Sequence, residues 1–220
     1  STSHVYYWKF LFFQNNFNIF KNERGWAHVM AKVFKYLAVV GLTASTLVGC
    51  QSIDTARIKH VKETEQTKLN ALIYCSGTAD CEFERLDQIP VIDSKTQRLD
   101  KKAVKEGIVR LQADSLNNSN ALYLSAPAGQ HEVVVRFYPI SKDKAETLHI
   151  IHRFNSETKY TLHMFRERSK HRGSLLNVSA PDPLCVDLKQ EKRTIRRFCK
   201  PYNVLNGLGE FVEKKNFKSR

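Results

Sequence analysis

Five cysteines are the residues of this chain whose type and spacing carry the most chemistry: Cys50, Cys75, Cys81, Cys185 and Cys199. A thiol can accept an acyl or diacylglycerol group, hold a metal or close a disulfide, and the surroundings of each cysteine decide among these. Cys50 ends Leu47-Val-Gly-Cys50, after an uncharged run from Leu37 to Val48 and a short basic stretch, Met30-Ala-Lys-Val-Phe-Lys35. The other four make an even set, which in an oxidising compartment reads as two disulfides. Pairing of Cys75 with Cys81 and of Cys185 with Cys199 is favoured. Ser-Gly-Thr-Ala-Asp between the first two is turn-forming, and a hairpin around Lys189–Lys192 would set the second two opposite each other. Zinc ranks lower, since no CxxC knuckle occurs.

Other matches to catalytic patterns are incomplete. Ser141-Lys-Asp-Lys144 and Ser156-Glu-Thr-Lys159 have S-x-x-K spacing, but both fall in expected turns and have no S-D-N or K-T-G companion. His131-Glu132 begins an H-E-x-x-H pattern whose last position is Val135. His149 and His152, three apart on an expected strand, would face opposite sides of the sheet. No nucleophile elbow, P-loop or dinucleotide fingerprint is present. No catalytic residue, metal site or cofactor is therefore expected, and the chain reads as a non-enzyme.

The region Met30–Gln51 resembles the lipobox and signal peptide of bacterial lipoproteins. The twelve-residue apolar run is too short to cross ~30 Å of hydrocarbon and has the length of a signal core. The resemblance implies cleavage after Gly49, diacylation of Cys50 and N-acylation of the new terminus. Gln51 in place of Asp favours the outer membrane, facing the periplasm or the cell surface. Residues 1–29, aromatic-rich and without a clean period, are read as an upstream extension outside the fold.

Charge is distributed unevenly. The whole chain carries 35 Lys and Arg against 22 Asp and Glu, a net +13. Residues 50–150 hold 14 of each sign, whereas residues 151–220 hold 16 basic and 7 acidic side chains. Such asymmetry suits an anionic partner. The runs around Arg166 and Arg168 and around Arg196 and Arg197 are the candidate anion-binding positions, because a guanidinium matches phosphate or carboxylate with two parallel hydrogen bonds. Anionic envelope polymers or a protein partner are the expected ligands, alongside the membrane through acylated Cys50; nucleic acid is not.

The elements that must position these residues read as β. Residues 50–70 are polar, a tether with a thin apolar stripe at Ala56, Ile58 and Val61, and the folded domain is expected from 71 to 202, with a basic tail over 203–220. Asp100 is placed to cap a short helix through Lys105, with Gly107 ending it. Short strands are expected at 71–75, 81–86, 121–125, 131–140, 147–154, 159–166, 174–178, 184–188 and 194–199, with the stretch after Gly107 left unassigned. The segments 121–125 with 131–140, and 147–154 with 159–166, are read as strand–turn–strand units. The fold class is all-β, a small sandwich or open barrel of about eight short strands, preceded by a signal helix and the polar tether. Leu124-Ser-Ala-Pro-Ala-Gly129-Gln-His131, followed by Glu132–Phe137, resembles an APAGxH turn found in many envelope lipoproteins. There it opens a strand of a small immunoglobulin-like or transthyretin-like sandwich with no known activity. Two other roles remain open for such a chain: an accessory lipoprotein of a secretion or pilus machine, and an inhibitor of an envelope-attacking hydrolase.

Overall fold

The computed structural model describes residues 49–114, 116, 118–168, 182–201 and 209–217. The chain divides into two units, Ser1–Gly49 and Cys50–Arg220, and the β-structure belongs to the second. The signal segment 30–48, the extension 1–29 and the strand expected at 174–178 lie outside the described residues.

Two sheets pack through one apolar cluster. The larger, of seven strands, has the order β11-β10-β9-β8-β1-β5-β4, and the smaller, of four, has the order β3-β2-β6-β7. The larger is built from β1 (Ala71–Ser76), β4 (Val109–Leu111), β5 (Leu122–Ala126), β8 (Lys159–Arg166), β9 (Leu184–Gln190), β10 (Arg193–Lys200) and β11 (Val212–Glu213). The smaller contains β2 (Cys81–Leu86), β3 (Ile89–Pro90), β6 (Gly129–Phe137) and β7 (Glu146–Phe154). Neither sheet closes on itself, so the architecture is a sandwich and not an open barrel, with eleven strands among the described residues instead of about eight.

Alternation explains the core. In β1, Ala71, Ile73 and Cys75 are buried while Leu72, Tyr74 and Ser76 are half-buried on the other side. In β8, Tyr160, Leu162 and Met164 are buried and alternate with Thr161, His163 and Phe165. The opposing sheet contributes Phe83, Val133, Val135, Phe137, Leu148, Ile150 and Phe154 to the same cluster. Fully burying each aliphatic or phenyl side chain contributes about 1.5–3 kcal/mol, so this seam is the main stabilising term.

Both expected strand–turn–strand units are corrected. β5 and β6 belong to different sheets, as do β7 and β8, so Pro127-Ala128 and Asn155–Thr158 carry the chain across the sandwich instead of turning a hairpin. The second crossing is held by aromatic packing. The Phe154 and Tyr160 rings meet edge to face with centroids 4.9 Å apart, and the Asn155 amide donates to the Tyr160 hydroxyl at 3.0 Å.

At the centre of the larger sheet, β1 pairs antiparallel with β5 and parallel with β8, in the register Tyr74–Thr161 and Ser76–His163. Directly after β1, Gly77 adopts φ +97°, and a Cβ there would lie 2.0 Å from the Met164 carbonyl oxygen. Only glycine lets the chain leave β1 this close to β8 and enter the opposite sheet.

The helices are short. α1 (Gly49–His60) lies within the segment expected as a tether, yet Ile58 is buried in the core cluster and Val61 packs against it. Packing thus begins upstream of Ala71, the expected start of the domain. α2 (Glu65–Lys68) starts in a capping box in which Thr64 and Thr67 satisfy each other's amides. α3 (Lys101–Lys105) is capped as expected: the Asp100 carboxylate accepts from the amides of Lys102 at 2.8 Å and Ala103 at 3.1 Å.

Candidate binding face

Both disulfides form as read from the sequence, in different settings. Cys75 of β1 joins Cys81 of β2, linking the two sheets through the core. Cys185 and Cys199 are directly opposed on β9 and β10, with Cα atoms 4.1 Å apart. Glu167 lies with this pair in a cluster of potential metal ligands, but both sulfurs are already bonded to each other. Cys50 sits in the first turn of α1.

The four candidate arginines have separate fates. Arg197 of β10 is buried, with side-chain exposure of 6%, and its guanidinium donates to both Asp187 oxygens at 2.6 and 2.9 Å. That hydrogen bond and the Asp187 charge hold Arg197 above its ordinary pKa, against the opposing effect of burial. Arg196, its neighbour, points to the opposite side of the strand. It donates to both Glu213 oxygens at 2.7 Å and to the Ile151 carbonyl on β7, also at 2.7 Å. Both guanidiniums are engaged by carboxylates within the molecule among the described residues. Arg166 is exposed and donates to the Asp182 carbonyl at 3.0 Å, and Arg168 is exposed at the end of β8.

Further basic residues of the C-terminal third work inside the molecule. Lys200 reaches Glu146 of β7 at 2.6 Å, and Lys214 pairs with Glu167. With Arg196, Lys200 ties the rim of the large sheet to the edge strand of the small one. Part of the charge excess in the sequence is therefore a set of stitches between elements.

The incomplete catalytic patterns stay apart. Val135, in the position of the absent second ligand after His131-Glu132, is fully buried in the core. His149 is exposed on β7, while His152 faces inward against Phe154 and Tyr160. His131 lies between two acceptors, with Nδ1 2.6 Å from Asp87 Oδ2 and Nε2 2.7 Å from the Pro127 carbonyl.

A cavity of about 500 Å³ is lined by Asp54, Asp80, Glu82, Leu99, Tyr138 and Lys142, among others. Its carboxylates are engaged from within the chain. Arg136 and the Tyr138 hydroxyl donate to Glu82 at 3.2 and 2.8 Å, Arg57 lies 3.4 Å from Asp54, and the Asn120 amide lies 3.3 Å from Asp80. Burial and the bond to Glu82 push the Tyr138 phenol up to about 12.

The outer face of the seven-stranded sheet is arranged differently. Arg110 of β4 is in register with Tyr123 of β5, Tyr74 of β1 with Thr161 of β8, and Thr161 with Lys189 of β9. The gap is closed by the rings of Tyr123 and Tyr74, which stack with centroids 4.8 Å apart at 16°. One continuous row therefore crosses five strands, about 19 Å at the usual strand spacing. Lys159 places its ammonium 4.5 Å from the Tyr74 centroid, a cation–π contact on the ring face away from Tyr123. Burial raises the pKa of both tyrosines, so both phenols stay protonated donors. Among the described residues neither hydroxyl has a hydrogen-bond partner, and Arg110, Lys159 and Lys189 form no ion pair with a carboxylate. Arg110 instead donates to the carbonyls of Val61 at 2.7 Å and Gly107 at 3.0 Å.

This row was not found from the sequence. Its signal was the polar side of each core strand, but reading it requires the parallel β1–β8 register, which no local pattern reveals.

No family model, no curated protein and no solved structure matches this chain.

Proposed function

We propose that the protein is a lipoprotein of the bacterial outer membrane, anchored through acylated Cys50, whose β-sandwich performs a binding or structural role in the envelope and no catalysis. The observation that carries this reading is the juxtaposition, within one packed unit, of Cys50 at the start of α1 and a sandwich stapled by two disulfides. Disulfides persist in exported proteins and are rare in reducing compartments. The lipobox resemblance at Leu47–Cys50 supplies the route of export and the attachment chemistry. Ile58, eight residues beyond Cys50, is buried in the core, so packing begins close to the cysteine proposed to carry the acyl chains.

Metabolic labelling with a palmitate analogue tests the anchor. The wild-type chain is expected to take up label and to fractionate with outer membranes. Cys50→Ser should take up none and accumulate as unprocessed precursor. Undiminished labelling of Cys50→Ser would overturn the proposal.

A further inference from the structure

We propose that the outer face of the seven-stranded sheet is a binding platform for an anionic glycan, a sugar chain bearing phosphate or carboxylate groups, lying across the strands along the row from Arg110 to Lys189. This rests on the envelope reading for its compartment and goes beyond it in naming the surface and the ligand chemistry.

The row is a line of donors. Arg110 and Lys189 stand at its two ends, the Tyr123, Tyr74 and Thr161 hydroxyls lie between them, and Lys159 flanks the middle over Tyr74. The ends match oxyanions, and the middle matches the ring and hydroxyl oxygens of sugars. Spacing comes from the sheet itself, one side chain every ~4.8 Å, so the register is held by backbone ladders rather than by flexible loops. The stacked rings and the cation–π contact hold the tyrosines and Lys159 in place before a ligand arrives, which lowers the ordering cost of binding.

Three carboxylates lie near the row, and among the described residues none forms an ion pair with Arg110, Lys159 or Lys189. Asp187 is consumed by Arg197, and Glu191 accepts the backbone amide of Lys159 at 2.8 Å. Glu63 acts on Tyr123 only as a nearby charge. Beyond the row on β8, His163 is paired with Ser76 at 3.0 Å.

A lipid surface fits less well. Peripheral membrane binding scales with apolar area inserted into the interface. The large exposed apolar side chains among the described residues are Leu69, Ile140, Ile151 and Val212, none of them in the row. The charge is linear and the face carries hydroxyls, which suits a chain of sugars better than a plane of headgroups.

The test uses the full acylated chain in detergent micelles and follows anisotropy of labelled dextran sulfate, with neutral dextran of equal length, phosphatidylglycerol vesicles and poly(dT) as parallel probes. Dextran sulfate should bind, with an affinity that falls as salt rises, and neutral dextran should not. Lys159→Gln with Lys189→Gln should weaken binding about tenfold, two exposed charge contacts being lost. Lys101→Gln with Lys105→Gln, which removes the same charge from α3, should leave it unchanged. Tyr74→Phe with Tyr123→Phe keeps the stacked rings and should also weaken binding, which distinguishes hydroxyl recognition from bulk charge. Equal losses from the row and α3 pairs would overturn the proposal, as would no loss from either. Tighter, row-dependent binding to the vesicles or to poly(dT) would overturn the assignment to a glycan. Labelling of Cys50 is scored on the same samples, so a failed anchor with intact, row-dependent dextran sulfate binding sinks the lipoprotein reading alone.

Discussion

The two outer faces of the sandwich use charge in opposite ways. On the four-stranded sheet, cations meet carboxylates of the same face. Arg85 holds Glu132 with two hydrogen bonds of 2.8 and 3.1 Å, Arg136 lies between Glu82 and Glu84 at 3.2 and 3.3 Å, and His149 stands 3.8 Å from Glu132. On the seven-stranded sheet, Asp187 and Arg197 neutralise each other, while Arg110, Lys159 and Lys189 form no ion pair with a carboxylate among the described residues. A face whose charges are internally paired has little left to offer an oxyanion. The comparison teaches that net charge does not locate a binding surface; pairing does.

The largest expected effect comes from breaking a pair. Arg197→Ala would leave Asp187, itself buried, without its partner, and should destabilise the fold by about 3–5 kcal/mol. Thermal melting followed by circular dichroism measures it, and a shift no larger than that of a surface substitution would mean that Asp187 is not dependent on Arg197. The same experiment on Arg136→Ala asks whether Glu82 and the more exposed Glu84 of the small sheet behave alike. A smaller loss is expected, because Glu84 can be solvated when its partner is removed.

Next come the two staples. Removing either disulfide by paired Cys→Ser substitution should cost about 2–3 kcal/mol in a chain-entropy model, since both loops are short. The comparison sharpens if the Cys75–Cys81 variant loses more, because its serines would place hydroxyls in the core between the sheets. Equal losses would assign the whole effect to loop closure.

The pH dependence separates the faces without any substitution. On the small sheet, the hydrogen bond from Arg85 holds Glu132 below its usual range. Burial pushes Asp87 up but is outweighed by hydrogen bonds from His131 and the Glu132 amide, so it too is lowered. Groups depressed in this way stabilise the fold above their unfolded value near 4, and that contribution is lost as pH falls through the folded value. On the large sheet, burial and then Lys189 lower His163, and on the inner side of the small sheet burial and then Arg196 lower His152. Protonation of these imidazoles favours the unfolded chain, so stability should begin to fall as pH drops below their unfolded value of about 6.5. Melting temperature should therefore decline in two phases, and His163→Asn should diminish the upper one. A decline confined to pH below 4 would show that neither histidine contributes.

The smallest effect is expected at Lys189. Replacing it with Ala should change stability by no more than about 0.5 kcal/mol, as for an unpaired surface cation. A larger loss in a denaturant titration would mean that Lys189 is structural, and would move the large sheet's face towards the pattern of the small one.

Much of the fold was legible in local patterns. Val133, Val135 and Phe137 share the core face that their spacing indicates, though Val134 and Arg136 between them are buried too, Asp100 caps its helix, and each disulfide closes the loop its turn residues suggest. What local patterns could not carry is the identity of each strand's neighbour. A four-residue connection such as Asn155–Thr158 can turn a hairpin or cross between sheets, and the difference is made by Phe154 meeting Tyr160 in the core. The internal pairing of the basic candidates was hidden for a related reason. Arg196 and Arg197 are adjacent and identical in type, but alternation sends one towards β7 and the other to Asp187. No sequence window reaches from residue 196 to Ile151 or from residue 74 to Thr161, so both the stitches and the row were invisible until the sheets were assembled.

The parallel pairing of β1 with β8 also sets the order in which the molecule can be made. Residues 72–76 find their β8 partners only at 159–163, more than eighty residues later. Long-range pairing of this kind slows folding, because loop closure precedes the contacts that reward it. β1, an interior strand of the large sheet, therefore stays incompletely paired until β8 has been synthesised. During that interval Leu72, Ile73 and Tyr74 present an open apolar edge, the kind of segment that aggregates when left exposed. A chain with this topology cannot complete its large sheet until Lys159–Arg166 has been made.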